Sequence, residues 1–182
     1  MKRLASLSVL CMLLVPGTAS AQGLIEEPIG TLAQLMRGIM FVNANKRFDA
    51  QAQEPGAELP DMTPEVSEAV SALVGPASAR FAGVYRGWPE VEGAAVALAD
   101  GAKLAVMAGR LCDNGVSAPV DRADYIEGAR LLEESAVRVL DGARARDYDE
   151  VWDAVNYVNE SCTHCHRTYR DGPDSRQEPR CQ

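Results

Sequence analysis

The chain predicts an all-α fold, an antiparallel four-helix bundle with an insert between its first and second helices. Three observations lead there. Apolar residues recur at spacings of three and four along four long stretches. The composition is rich in Ala, Leu, Val and Glu, with only three Phe, and little β-branched alternation of the kind a strand needs. The links between the stretches are short everywhere but after the first, as antiparallel neighbours require.

The first 21 residues are expected to take no part in that bundle. Lys2 and Arg3 lead into an apolar run from Leu4 to Val15, followed by Pro16, Gly17 and the small-residue site Ala19-Ser20-Ala21. A basic start, an apolar middle and an A-x-A site make a cleavable secretory signal. The run is shorter than the roughly 20 residues a membrane span needs. Cleavage would leave residues 22–182 as one domain in an oxidising, periplasmic compartment, with no membrane span. Losing Lys2 and Arg3 takes the formal charge from −8 to −10. Such an acidic surface disfavours nucleic acid and anionic membranes and suits a basic docking partner.

The first helix is expected in "EPIGTLAQLMRGIMFVNANKRFDAQAQ", with Pro28 in its first turn and a stripe of Ile29, Leu32, Ala33, Met36, Met40 and Ala44. "EPGAELPDMTP" then breaks the chain, and a short helix from Glu65 to Val74 ends at Gly75-Pro76. Residues 54–88 form the insert. The second long helix, "PEVEGAAVALADGAKLAVMAGRL", repeats Val91, Ala95, Leu98, Ala102, Ala105 and Val106 and stops before Asn114-Gly115 and Pro119. It would carry Met107. The third, "DRADYIEGARLLEESAVRVLDGARARD", opens on Asp121 as N-cap and turns Tyr125, Ile126, Ala129, Leu132, Ala136, Val139 and Leu140 inward. The fourth, "DEVWDAVNYVNESCTHCHRTYRDG", ends near Gly172-Pro173, with Trp152 and Tyr157 read as core or cofactor-packing aromatics.

That fourth helix holds "SCTHCH", which contains both histidines of the chain. Cys162, Cys165 and His166 match C-x-x-C-H, the attachment signature for one covalently bound haem c. Positions i, i+3 and i+4 share a helix face, so both thiols can reach one porphyrin edge while the His166 imidazole turns to the iron. Tyr169 extends the stripe by another turn. A zinc site would need about four ligands, and no second C-x-x-C or further histidine supplies them. A thioredoxin-like pair would follow a strand, and none is expected here.

A C-x-x-C-H on the last of four helices, followed by x-x-Tyr-Arg in "CTHCHRTYR", resembles class II cytochrome c, the cytochrome c′ family. "LMRGIMFVNAN" in the first helix adds to the likeness, which spans roughly residues 24 to 170. The resemblance implies a periplasmic four-helix bundle, often a homodimer, with haem wedged between helices. It places thioethers at Cys162 and Cys165 and the proximal iron ligand at His166. The chain departs from that pattern in its insert and in two extra cysteines.

Opposite His166 two outcomes stand open. A methionine thioether suits haem iron and raises its potential, and Met36 and Met40 lie one turn apart on the first helix. Met36 is the first choice, because the resemblance sets it nearest the distal position. Without that bond the iron would be five-coordinate under Leu32, Met36 and Met40 and open to NO or CO. The expected function is therefore electron transfer with a redox partner protein and no enzymatic chemistry, or gas binding as the alternative. Arg37 is a candidate for a haem propionate. The extra cysteines, Cys112 and Cys181, are read as a disulfide; two thiols or an intermolecular bond are the other readings.

Overall fold

The computed structural model describes residues 27–58, 63–75, 77 and 84–171. The expected signal segment, residues 1–21, and Cys181 lie outside them. Within the described residues the chain is all-helical; no strand forms, and a single bridge pairs Leu111 with Ser117. No helix there is long and apolar enough to cross a membrane.

The first helix begins at Leu32 rather than in the turn of Pro28. α1 (Leu32–Leu35) is capped by Thr31, whose hydroxyl accepts from the Gln34 N–H at 3.2 Å while the Gln34 side chain accepts from the Thr31 N–H at 2.9 Å. This Thr-x-x-Gln box satisfies two orphan donors at once, which Pro28 could not do. Ile29 consequently falls outside the helix and is 98% exposed, so it leaves the expected stripe.

The helix then widens. Met36–Met40 form a π-helical turn, in which the Phe41 N–H reaches back to the Met36 carbonyl, before α2 (Phe41–Ala52) resumes regular winding. The Asn43 side-chain amide donates to the Ile39 carbonyl at 2.8 Å inside this turn. The buried positions Leu32, Leu35, Met40, Ala44, Arg47 and Ala50 record the extra residue as one step of five. Such turns are uncommon and concentrate at functional sites.

α3 (Pro64–Val74) is capped by Thr63 and buries none of its residues. α4 (Trp88–Ala105) turns Val91, Ala95, Leu98, Ala102 and Ala105 into the core, as expected, but ends earlier than expected. Arg110, only 5% exposed, donates to the Leu104 carbonyl at 2.8 Å and the Gly30 carbonyl at 2.7 Å, drawing the chain across the helix end. Gly109 makes the reversal at φ +81°. Met107 therefore lies beyond the helix.

α5 (Ala123–Ala145) has Arg122, not Asp121, as its N-cap residue, and no side chain caps it. It ends on Arg146 at φ +60°. Ile126 is largely exposed, while Tyr125, Leu132, Ala136 and Val139 are buried. α6 (Tyr148–His166) opens on Asp147, whose carboxylate accepts from the Glu150 N–H at 3.0 Å, and a second π-helical turn, Arg167–Asp171, follows it.

α5 packs most extensively against α4 and α6, and α2 completes the contact on the other side of both. Small residues permit this. Ala95, Ala136, Ala154 and Val155 have essentially no exposed surface, so the helices approach closely through the middle of the molecule. Towards one end, where α1 and the first π turn face the end of α6 across a cavity, the packing opens.

Candidate functional site

The site is built from the end of α6. Its register, set by Val151, Val155 and Val158 in the core, leaves Cys162, Cys165 and His166 half-buried on the inward face and His164 exposed. Ser161 donates to the Val158 carbonyl at 2.8 Å and Thr163 to the Asn159 carbonyl at 2.8 Å, which keeps the hydroxyls within the helix and off the thiols.

Cys162, Cys165 and His166 line a cavity of about 790 Å³. That volume falls within the roughly 300–1,000 Å³ usual for cofactor sites. Met36, Arg37 and Met40 line the same space from the opposite helix, and Tyr169 closes it from the second π turn. Every expected cofactor residue is thus brought to one cavity, and both π-helical turns face it.

The two methionines differ. Met40 is 6% exposed, and a β-carbon at Gly101 of α4 would overlap its sulfur. The Met40 thioether is therefore packed onto α4. Met36 is half-buried and has no comparable seat against a facing glycine. Arg37 stands at the rim with its side chain 73% exposed and donates to Asp113 at 3.2 Å. Asp113 also accepts from the Thr31 hydroxyl, so it ties the start of the first helix to the loop after α4.

On the other side Tyr169 is buried and donates from its hydroxyl to Asp124 at 2.8 Å. Its ring meets Tyr125 edge-on with centroids 5.3 Å apart, and the Arg122 guanidinium lies 5.8 Å from its centroid. Tyr125 in turn donates to the Ala105 carbonyl at 3.3 Å. Burial, followed by the bond to Asp124, pushes the Tyr169 hydroxyl up to about 12. The same bond, reinforced by Arg122, lowers Asp124. This clamp joins the turn after His166 to the start of α5. Gly128, one turn further along α5, leaves the space that Cys165 occupies.

The thiols are not activated nucleophiles. Burial raises Cys162, against the lowering influence of Arg47 and Arg170. Burial also lifts Cys165 to about 11, helped by Cys162 and Asp124. A dithiol–disulfide catalyst needs a depressed thiol, and these two cysteines are unbonded to each other. Nor do the described residues contain any group of three or more His, Cys, Asp and Glu that could hold a metal ion by themselves. A zinc site has too few donors. A porphyrin, which supplies four nitrogens of its own, needs only the one or two axial donors found here, so the donor set fits a haem.

The sequence reading missed Arg47. It has no exposed surface, and none of Nε, Nη1 and Nη2 has a hydrogen-bond partner. Burial lowers it to about 10, with the charge of Cys162 working the other way. A signal was present: Arg47 lies three residues after Ala44 and seven after Met40, on the inward stripe. Two aromatics go the other way. Trp152 is 44% and Tyr157 49% exposed, so neither is a core or cavity residue. Tyr157 instead lies under the Arg138 guanidinium, 4.9 Å from its centroid. Cys112 is buried; its expected partner, Cys181, lies outside the described residues.

No family model, curated protein or solved structure matches this chain.

Proposed function

We propose that the protein is a periplasmic mono-haem c-type cytochrome that transfers electrons, with the antiparallel four-helix bundle of class II cytochromes c. The carrying observation is the convergence of Cys162, Cys165 and His166 with Met36 on one cavity between the first and last helices. Cys162 and Cys165 would hold the porphyrin through thioethers, and His166 would bind the iron. When bound, the haem supplies one-electron chemistry between ferric and ferrous iron. Met36 would hold the iron from the first helix in this reading, because the Met40 sulfur is packed against Gly101.

The chain's own residues do the rest. Tyr169 and Asp124 brace the turn beside His166 and so hold its imidazole in place. Leu32, Leu98, Ala102 and Leu132 line the cavity and would keep water from a bound porphyrin, which would favour the less charged ferrous state. The acidic exterior would dock transiently on a basic redox partner, and the Cys112–Cys181 bridge would secure the polar tail after export. A homodimer accords with the resemblance. No bond of a substrate is made or broken.

The gas-binding alternative rests on the apolar distal wall of Leu32, Met36, Met40 and Phe41. The optical spectrum of the purified holoprotein separates the two. Sharp ferrous α and β bands, with a weak far-red ferric band from iron–thioether bonding, support six-coordinate electron transfer. A broad high-spin spectrum that sharpens on adding CO supports gas binding.

A further inference from the structure

A fully buried guanidinium with no acceptor on any of its three nitrogens is an expensive arrangement. Proteins normally pair such a group or leave the position apolar. Arg47 sits on α2 in an otherwise apolar row, between Ala44 and Phe48, both of which line the cavity. Among the described residues, the one ionisable group whose charge reaches it is Cys162. Burial keeps that thiol protonated, so it gives Arg47 no counter-charge, and an alkylated sulfur would give none either. Arg47 is then a permanent positive charge with no hydrogen-bond acceptor from the protein, beside the cavity that would receive the porphyrin.

We infer that Arg47 is the fixed buried charge that raises the reduction potential of this site. The inference rests on the haem reading above and adds a residue to it. Ferric haem carries one more positive charge than ferrous haem, so a nearby cation opposes the oxidised form. In a low-dielectric interior that opposition is far stronger than in water. The step is the reduction of the iron by an external one-electron donor; no bond forms or breaks, and the guanidinium keeps its protons throughout. Arg47 does not touch the iron and acts only through its field. Arg37, by contrast, is exposed and ion-paired at the rim, so its field is screened.

Redox titration of the holoprotein, followed optically, tests this. Arg47→Gln and Arg47→Met are expected to lower the midpoint potential while leaving band positions and CO reactivity as in the parent. The shift should be the same in dilute buffer and in 1 M salt, because a buried charge is not screened. Arg47→Lys, titrated at pH 6, should keep a potential above that of Arg47→Gln; this comparison still decides if Arg47→Met does not mature. A guanidinium with only a packing role would alter the unfolding midpoint and leave the potential unmoved. An unchanged potential in Arg47→Gln, or a shift that salt abolishes, overturns the inference. A coloured parent with unmoved variants sinks this inference alone, whereas a colourless parent sinks the haem reading and this with it.

Discussion

A β-carbon on Gly128 would overlap the Sγ of Cys165 and lie 3.2 Å from Cδ2 of His164. The approach of α5 to α6 at this level is set by a missing side chain. In the haem-free chain the Cys165 side chain can rotate away. Gly128→Ala should then change stability by less than about 1 kcal/mol, the gain in helix propensity offsetting the contact. With Cys165 fixed in a thioether no rotation is available. The same change should cost about 1–3 kcal/mol and lower the yield of doubly attached haem. Denaturant unfolding of both forms, with mass spectrometry of the attachment, measures the contrast.

Met36 and Met40 make a discriminating pair. Met36→Leu should convert a low-spin ferric spectrum to a high-spin one and open the iron to CO. Met40→Leu should leave ligation intact and cost about 1 kcal/mol through repacking against Gly101. If the spectrum responds to Met40→Leu and ignores Met36→Leu, the ligand is misassigned.

The clamp beside His166 should be sensitive to acid. Tyr169→Phe removes the hydroxyl that donates to Asp124. Asp124 is half-exposed, so the loss should be at the low end for a hydrogen bond, about 0.5–1 kcal/mol. Asp124 is depressed in the folded protein. Its contribution is therefore present above the ordinary aspartate range, near ~3.9, and is lost as pH falls through the lower folded value. Unfolding curves between pH 7 and 2 should show parent and Tyr169→Phe converging at the acid end.

Cys112 offers a test of the bridge. Non-reduced intact protein should lack two hydrogens at the Cys112–Cys181 pair. Closing a loop of about 70 residues contributes up to about 4 kcal/mol in the chain-entropy model, so Cys112→Ser should be clearly destabilised. Alkylation of both thiols by iodoacetamide without reductant would refute the pairing.

The core of the fold was legible because burial follows period, not boundary. Val91, Ala95, Leu98, Ala102 and Ala105 on α4 needed only their spacing to be recognised as inward-facing. Helix ends were less legible, because caps compete: Thr31 with Gln34 outbid Pro28, and Arg110 stopped α4 by taking the carbonyls at its end. The π turn at Met36–Met40 was hidden, since four-residue spacing between two methionines looks regular until the step from Leu35 is known. The grouping of Cys162, Cys165 and His166 at one cavity was legible, as the three sit within one helical turn and a half. Arg47 was not, because a charged side chain is taken for a surface residue unless the stripe is followed through it. Trp152 and Tyr157 failed for the opposite reason: aromatic character suggested burial, while the helix face they occupy looks outward.

The intact mass of protein exported and matured in a host that makes c-type cytochromes bears most directly on the whole account. Red protein, heavier than its processed polypeptide by one haem that survives acidified-acetone extraction, is the predicted result. Colourless protein at the bare polypeptide mass, with Cys162 and Cys165 both open to alkylation, would contradict it.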